Sequence, residues 1–260
     1  MITPESTAPL LHLEEGVARI TLNRPAQRNR LENDDLQILL KHIAHIHDDH
    51  RFKVLVLTAN TQGQPQPVFC AGYDIGGFAE PGQGSSAFEQ VPNALARMRP
   101  ITICALNGSV YGGATDLVLA CDLRLGLKDL QWRMPAAALG LHYYPSGLRR
   151  YVSQFGVAAT KRAFFSGKVF SGRELQHLGV LEVCDDAVQL QSALNQLVVD
   201  VMGMAPLAVQ ATKQSIQEIA AGLDDTSVLH EREMASTRTE DFAEGLKAFA
   251  ERRKPVFKGR

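Results

Sequence analysis

Two hydrophobic periods alternate along the chain, and the change from one to the other marks the elements. Val17–Leu22 alternates apolar and polar positions, the pattern of a half-buried strand. Val54–Ala59 (VLVLTA) and Ile101–Leu106 (ITICAL) are apolar, strand-like runs. NRPAQRN (23–29) is a turn, and Asn33 or Asp34 is placed to cap a helix running towards Asp49. Leu36, Leu39, Leu40, Ile43 and Ile46 share one face of that helix. TQGQPQP (61–67) is a polar loop. Helical spacing returns near residues 88–98 and 112–120, and CDLRLG (121–126) is a strand again. Strands alternating with helices predict an α/β fold. Beyond Pro145 the pattern is almost all helical, with helices predicted over 187–204, 206–221, 226–236 and 239–251. The expected organisation is an α/β core over residues 1–200 and a helical region over 201–260.

Two of the strand-like runs lead to glycine breaks. FCAGYDI (69–75) contains Gly72, and NGSVYGGATD (107–116) contains Gly112 and Gly113. A glycine break brings backbone N–H groups within reach of a ligand, because no Cβ blocks the approach. Two such breaks can aim two N–H groups at one oxygen, which is what an oxyanion hole needs. EPGQGSS (80–86) has little to bury, is expected to be mobile, and follows the first break, where it serves as a site cover or a plain surface loop.

Composition narrows the classes. The 260 residues suffice for one large domain or a domain with an appendage. A net charge of -1 gives no general electrostatic case for nucleic acid or membrane binding. No basic stripe with interleaved aromatics appears, and no apolar stretch approaches the ~20 residues of a membrane span. The N-terminus lacks the basic and apolar regions of a secretory signal, and it is not Arg-rich. Cys70, Cys104, Cys121 and Cys184 show no CxxC spacing and are expected to be buried, reduced thiols of a cytoplasmic protein. His42, His45, His47 and His50 crowd one helix, but no Cys or acidic array completes a metal site, so no metal is expected.

The two glycine segments resemble the signature regions of the crotonase (enoyl-CoA hydratase/isomerase) superfamily. The resemblance starts at VARITLNRPAQRN (17–29), continues through MPAAALGLHYYPSGLRR (134–150) and ends at FAEGLKAFAERRKPVFKGR (242–260). Five pieces in the family's order span nearly the whole chain. The resemblance implies a core spiral of ββα turns with a C-terminal helical region that packs into trimers, often paired as hexamers. It implies an acyl-CoA thioester as substrate, with no cofactor beyond its CoA moiety. It places one oxyanion N–H on Tyr73, after the Gly of the AGxD motif, and the other on Gly113, which opens a helix. It places Ala26, Arg28, Ala71, Gly72, Asp74 and Ile75 along the nucleotide and pantetheine path. Phe249 and Arg252 match positions near the nucleotide phosphates, and Arg24, Arg28 and Arg30 also suit phosphates.

The proton-transfer groups depart from that pattern. Family hydratases use two glutamates, and the matching positions here are Asp116 and Ala136. One carboxylate remains, shorter by ~1.5 Å, one C–C bond. Asp116 is a candidate proton shuttle or an acid that complements a helix N-terminus. His142, Tyr143 and Tyr144 pass near the acyl thioester in the resembling family. They are candidate proton donors or walls of the acyl pocket, and His142 titrates in the useful range. Efficient hydration of crotonyl-CoA is therefore not expected. Decarboxylation, C–C hydrolysis or thioester hydrolysis in the same pocket, or acyl-CoA binding without catalysis, are the alternatives.

Overall fold

The computed structural model describes residues 7–74, 76 and 84–260, with side chains from residue 87 onward in the latter stretch. The first unit of the chain spans Met1–Asn195 and the second Gln196–Arg260. Ile75 and residues 80–83 of the expected mobile loop lie outside the described residues, and Gly84 already opens a helix.

The first unit is built on two sheets. β1 (Leu10–Glu14) pairs antiparallel with β2 (Val17–Leu22). Helix α1 (Asn33–Asp48) leads to β3 (Val54–Ala59) and β4 (Val68–Cys70), followed by α2 (Gly84–Ala96). β5 (Ile101–Leu106), β6 (Ser109–Tyr111) and α3 (Ala114–Leu119) repeat that order. β7 (Leu123–Leu127) and β8 (Gln131–Arg133) precede α4 (Pro145–Ser166). β9 (Phe170–Ser171), α5 (Gly172–His177), β10 (Glu182–Cys184) and α6 (Ala187–Met202) follow. The larger sheet has the order β1-β2-β3-β5-β7-β10 and the smaller β4-β6-β8-β9. The pairs β3–β4, β5–β6 and β7–β8 each give one strand to each sheet, so the chain winds as a spiral.

Burial explains the sequence pattern. β5 is buried at every position and β3 at all but one, as parallel strands covered on both faces must be. β2 alternates because only one of its faces meets the core. α1 sends Leu36, Leu39, Ile43 and Ile46 inward.

Several boundaries differ from expectation. Glu32, not Asn33 or Asp34, caps α1, because Asp35 reaches back to the Glu32 amide at 2.9 Å. Asn33 instead accepts the Tyr73 hydroxyl at 2.5 Å. The third helix starts at Ala114 rather than Gly112, since Gly112 is left-handed with φ 58°. The strand expected at 121–126 runs Leu123–Leu127, and β9 and β10 interrupt the stretch after Pro145 that reads as helical.

In the second unit, α7 (Pro206–Ala220) and α8 (Thr226–Ser236) are tied by Arg232, which holds Glu218 at 2.7 Å. α9 (Glu240–Ala250) is capped by the Thr239 hydroxyl, which accepts from the Phe242 amide. Among the described residues no single helix is long and apolar enough to cross a membrane.

Candidate active site

The first glycine turn is held by the polar turn that follows β2. Arg28 and Asn29 both adopt left-handed backbone, each with φ 53°. Asn29 is buried and stitches the turn closed: its amide group donates to the Asn60 and Val68 carbonyls, and its Oδ1 accepts the Arg24 N–H. The turn then grips the segment after β4. The Ala71 amide donates to Arg28 O at 2.9 Å, Leu31 N–H to Gly72 O at 2.9 Å, and Asp74 N–H to Leu31 O at 2.8 Å. Gly72 sits at φ 104°, which L side chains rarely adopt.

The second turn meets the first. A Cβ on Gly72 would lie 3.0 Å from the Tyr111 carbonyl oxygen and 3.7 Å from Gly112 Cα, so Gly72 is needed for the backbones to approach, while Gly112 is favoured by its left-handed φ of 58°. A Cβ on Gly113 would strike the Phe88 ring at 2.9 Å. The Gly112 amide donates to Arg133 O at 2.9 Å, fixing this turn to β8.

Both turns line one cavity of about 400 Å³. Residues 71–74 and 111–113 form one side, with Arg30 and Phe88. Residues 134–136, Leu139, Leu141, Tyr143 and Tyr144 form the other. Ala136 therefore puts a methyl group on the wall where the resemblance places a second carboxylate.

Asp116 lies behind that wall. It is fully buried and is not among the residues that line the cavity. Arg150 Nε donates to its Oδ1 at 2.7 Å and Arg150 Nη2 to its Oδ2 at 2.6 Å. The Tyr144 hydroxyl reaches the same Oδ2 at 2.5 Å, and the Tyr143 hydroxyl lies 3.0 Å from that of Tyr144. A carboxylate only accepts, so the direction is fixed. Tyr144 gives its proton to Asp116, and Tyr143 gives its proton to Tyr144.

Burial pushes the Tyr143 hydroxyl well above the ordinary phenol range, and the Asp116 charge adds to this. Tyr144 is raised for the same two reasons in the same order. Both are neutral at physiological pH. Burial opposes the Arg150 charge, but Asp116 more than offsets it and raises Arg150 overall. Asn93 accepts from Arg150 Nη1 at 3.0 Å and completes its fork.

The remaining expected residues fall in three places. Ala26 and Arg28 are exposed on the turn beside Ala71. His142 is exposed and does not line the cavity. Phe249 and Arg252 belong to the second unit and are exposed. Asp74 lines the cavity, with Arg30 Nη2 at 3.6 Å. Cys70 is no nucleophile: burial pushes its thiol up to about 12, and the thiol donates to Asn29 O at 2.9 Å. Of the clustered histidines, His42 Nε2 lies 3.2 Å from Pro9 O and His47 Nδ1 accepts the Arg99 amide. Arg150, which pairs with Asp116, and Asn29, which closes the turn after β2, are site-supporting residues that sequence reasoning missed. Arg150 is 34 positions from its partner, and nothing local in GLRR signals it.

The family model described as enoyl-CoA hydratase/isomerase matches residues 12–260. Enoyl-CoA hydratase domain-containing protein 2, mitochondrial, of Homo sapiens is 31% identical over 95% of this chain and 87% of its own length. The 2,3-dehydroadipyl-CoA hydratase of Escherichia coli is 29% identical over 95% of this chain and 97% of its own. The solved enoyl-CoA hydratase of Bacillus anthracis superposes with a TM-score of 0.87 at 25% identity, covering 97% of this chain and 99% of its own. With the spiral fold and these matches in hand, the chain belongs to the enoyl-CoA hydratase/isomerase family of acyl-CoA-processing enzymes.

Proposed function

We propose that the cavity takes an acyl-CoA thioester with its carbonyl oxygen between the amides of Tyr73 and Gly113, and stabilises the enolate that forms there. The observation that carries this reading is the contact of the two glycine turns at the wall of one cavity. Interactions that strengthen as charge develops on the oxygen accelerate the reaction, and backbone amides are fixed before it starts.

Proton transfer runs through Tyr143. Its own proton is committed to Tyr144, so its oxygen accepts. When a proton arrives at Tyr143 from substrate or water, Tyr143 passes one to Tyr144 and Tyr144 passes one to Asp116. The carboxylate is the terminal base, and the reverse transfer returns the proton. Neither phenol ionises on its own, because both are held well above the ordinary range. The transfer is therefore concerted.

Arg30, Ala26, Arg28 and Ala71 lie where the CoA moiety would enter, and no other cofactor is required. The exposed apolar residues of the second unit, Ile216, Leu246 and Phe249 among them, support a homotrimer or a pair of trimers.

A second reading keeps the pocket and changes the reaction to decarboxylation, C–C hydrolysis or thioester hydrolysis. The Ala136 methyl favours it, because a water held between two carboxylates has no second carboxylate here. One experiment tests both. Wild type, Tyr143→Phe and Asp116→Ala are incubated with a panel of acyl-CoA esters, and products are followed by mass spectrometry. The expected result is turnover of at least one ester, slow hydration of crotonyl-CoA, and a loss of about 10²-fold or more in each variant. The product mass assigns the reaction. Tight binding of esters with no turnover by the wild type would overturn the enzymatic reading in favour of a binding protein.

A further inference from the structure

A second buried hydroxyl chain ends on the glycine turn itself. Trp132 Nε1 donates to the Tyr151 hydroxyl at 3.1 Å. Tyr151 donates to the Thr115 hydroxyl at 2.6 Å, and Thr115 donates to the Gly112 carbonyl oxygen at 2.7 Å. The Thr115 amide reaches the same oxygen at 3.1 Å. Trp132, Tyr151 and Thr115 are all buried.

The direction is again fixed by chemistry. An indole N–H only donates, and a carbonyl only accepts. Each hydroxyl must therefore point its proton the same way, from Trp132 towards Gly112. Hydrogen bonds aligned head to tail polarise one another, by about 10–30% per bond.

The acceptor matters because of what shares its peptide unit. The carbonyl of Gly112 and the N–H of Gly113 are two ends of one planar amide. Drawing electron density onto that oxygen leaves the N–H more positive and a better donor. Two donors on one carbonyl also hold the plane of the peptide, and so the aim of the N–H. Gly112 sits at φ 58° and Gly113 has no Cβ, so side chains of the turn do nothing to fix that plane.

We infer that Thr115, Tyr151 and Trp132 are positioning residues that polarise and orient the Gly112–Gly113 peptide, and so set the strength of the Gly113 amide as an oxyanion donor. This rests on the reading that the thioester carbonyl binds that amide. None of the three lines the cavity, so all act through the peptide.

The test is isotope-edited infrared spectroscopy of an acyl-CoA labelled with ¹³C at the thioester carbon, bound to wild type, Thr115→Val, Thr115→Ser and Tyr151→Phe. In the wild type the carbonyl stretch falls relative to free ligand. Thr115→Val is expected to return part of that fall and to lower kcat about 3- to 30-fold with little change in KM, a fraction of the ~10²–10³ that a whole donor is worth. Thr115→Ser restores both, and Tyr151→Phe gives a smaller change of the same sign. If Thr115→Val strands too much buried polarity to fold, Tyr151→Phe with the serine variant carries the same comparison.

The failures separate. A carbonyl stretch in wild type equal to that of free ligand sinks the oxyanion reading, and the inference with it. A lowered stretch that is identical in wild type, Thr115→Val and Tyr151→Phe leaves the oxyanion reading standing and overturns the inference alone.

Discussion

The hydroxyl chain that ends on Asp116 and the one that ends on Gly112 are assembled alike and finish on different acceptors. Each is a head-to-tail run that ends at the start of α3, one coming from β8 through α4 and the other from Tyr143 through the α4 N-cap Tyr144. The chain on Gly112 is closed at both ends: it starts from an indole N–H that does not give up its proton and stops on a neutral carbonyl. It can polarise and hold, but it cannot carry a proton. The chain on Asp116 is open at Tyr143, which lines the cavity, and stops on a carboxylate that can take a proton. On the proposed reading the same hydrogen-bond chemistry is a brace in one place and a proton path in the other, and the terminal acceptor decides which.

The contrast is sharpest where charge is involved. Arg150→Met leaves the Asp116 carboxylate buried without its ion pair and is expected to cost about 3–5 kcal/mol of stability, read from urea unfolding. Little or no change would show that Asp116 is not held as a buried ion. Next comes Tyr143→Phe, which removes the open end of the path but no charge. Turnover is expected to fall about 10²-fold or more, while stability falls by no more than ~1.5 kcal/mol. Equal losses in both quantities would make Tyr143 a packing residue. Tyr151→Phe interrupts the closed chain and leaves the Trp132 N–H and the Thr115 oxygen short of a partner. A stability loss of about 1–3 kcal/mol is expected, with a smaller effect on turnover than Tyr143→Phe.

At neutral pH the smallest effect comes from the phenols, whose contribution shows only as a dependence on alkaline pH. Tyr143, Tyr144 and Tyr151 all have raised values, chiefly through burial. In the unfolded chain a phenol titrates near ~10. Folded and unfolded states hold the same phenol protons below that pH, so the contribution is intact there. As pH rises above ~10 the unfolded chain loses these protons and the folded chain keeps them, so stability falls. Urea midpoints measured from neutral pH upward, with phenolate absorbance followed in parallel, check this. Phenolate appearing in the folded protein before any loss of stability would contradict it.

How much of this was legible in the sequence depends on distance along the chain. β2, β3 and β5 stand where the sequence pattern puts them, because each is long enough to show an alternation or a continuous apolar run against the core. β4, β6 and β8 have three residues each, too few for any period to register. The α1 cap was misplaced by one residue, since Asp35 does the capping and Asn33 is taken by Tyr73 forty positions away. The glycine turns were visible as breaks after apolar runs. The roles of Arg150 and Tyr151 were not, because their partners lie 34 and 36 positions away, and only the spiral brings α4 beside α3. The resemblance singles out Asp116 by its match to a family glutamate, but that it is buried behind Tyr144 and does not line the cavity follows from packing alone.

The central claim is that the Tyr73 and Gly113 amides share one acyl oxygen, and a crystal structure with a non-reactive acyl-CoA analogue tests it most directly. The expected result is a carbonyl oxygen about 2.7–3.1 Å from both nitrogens. An analogue bound in the cavity with that oxygen on only one of them, or on neither, would contradict the claim.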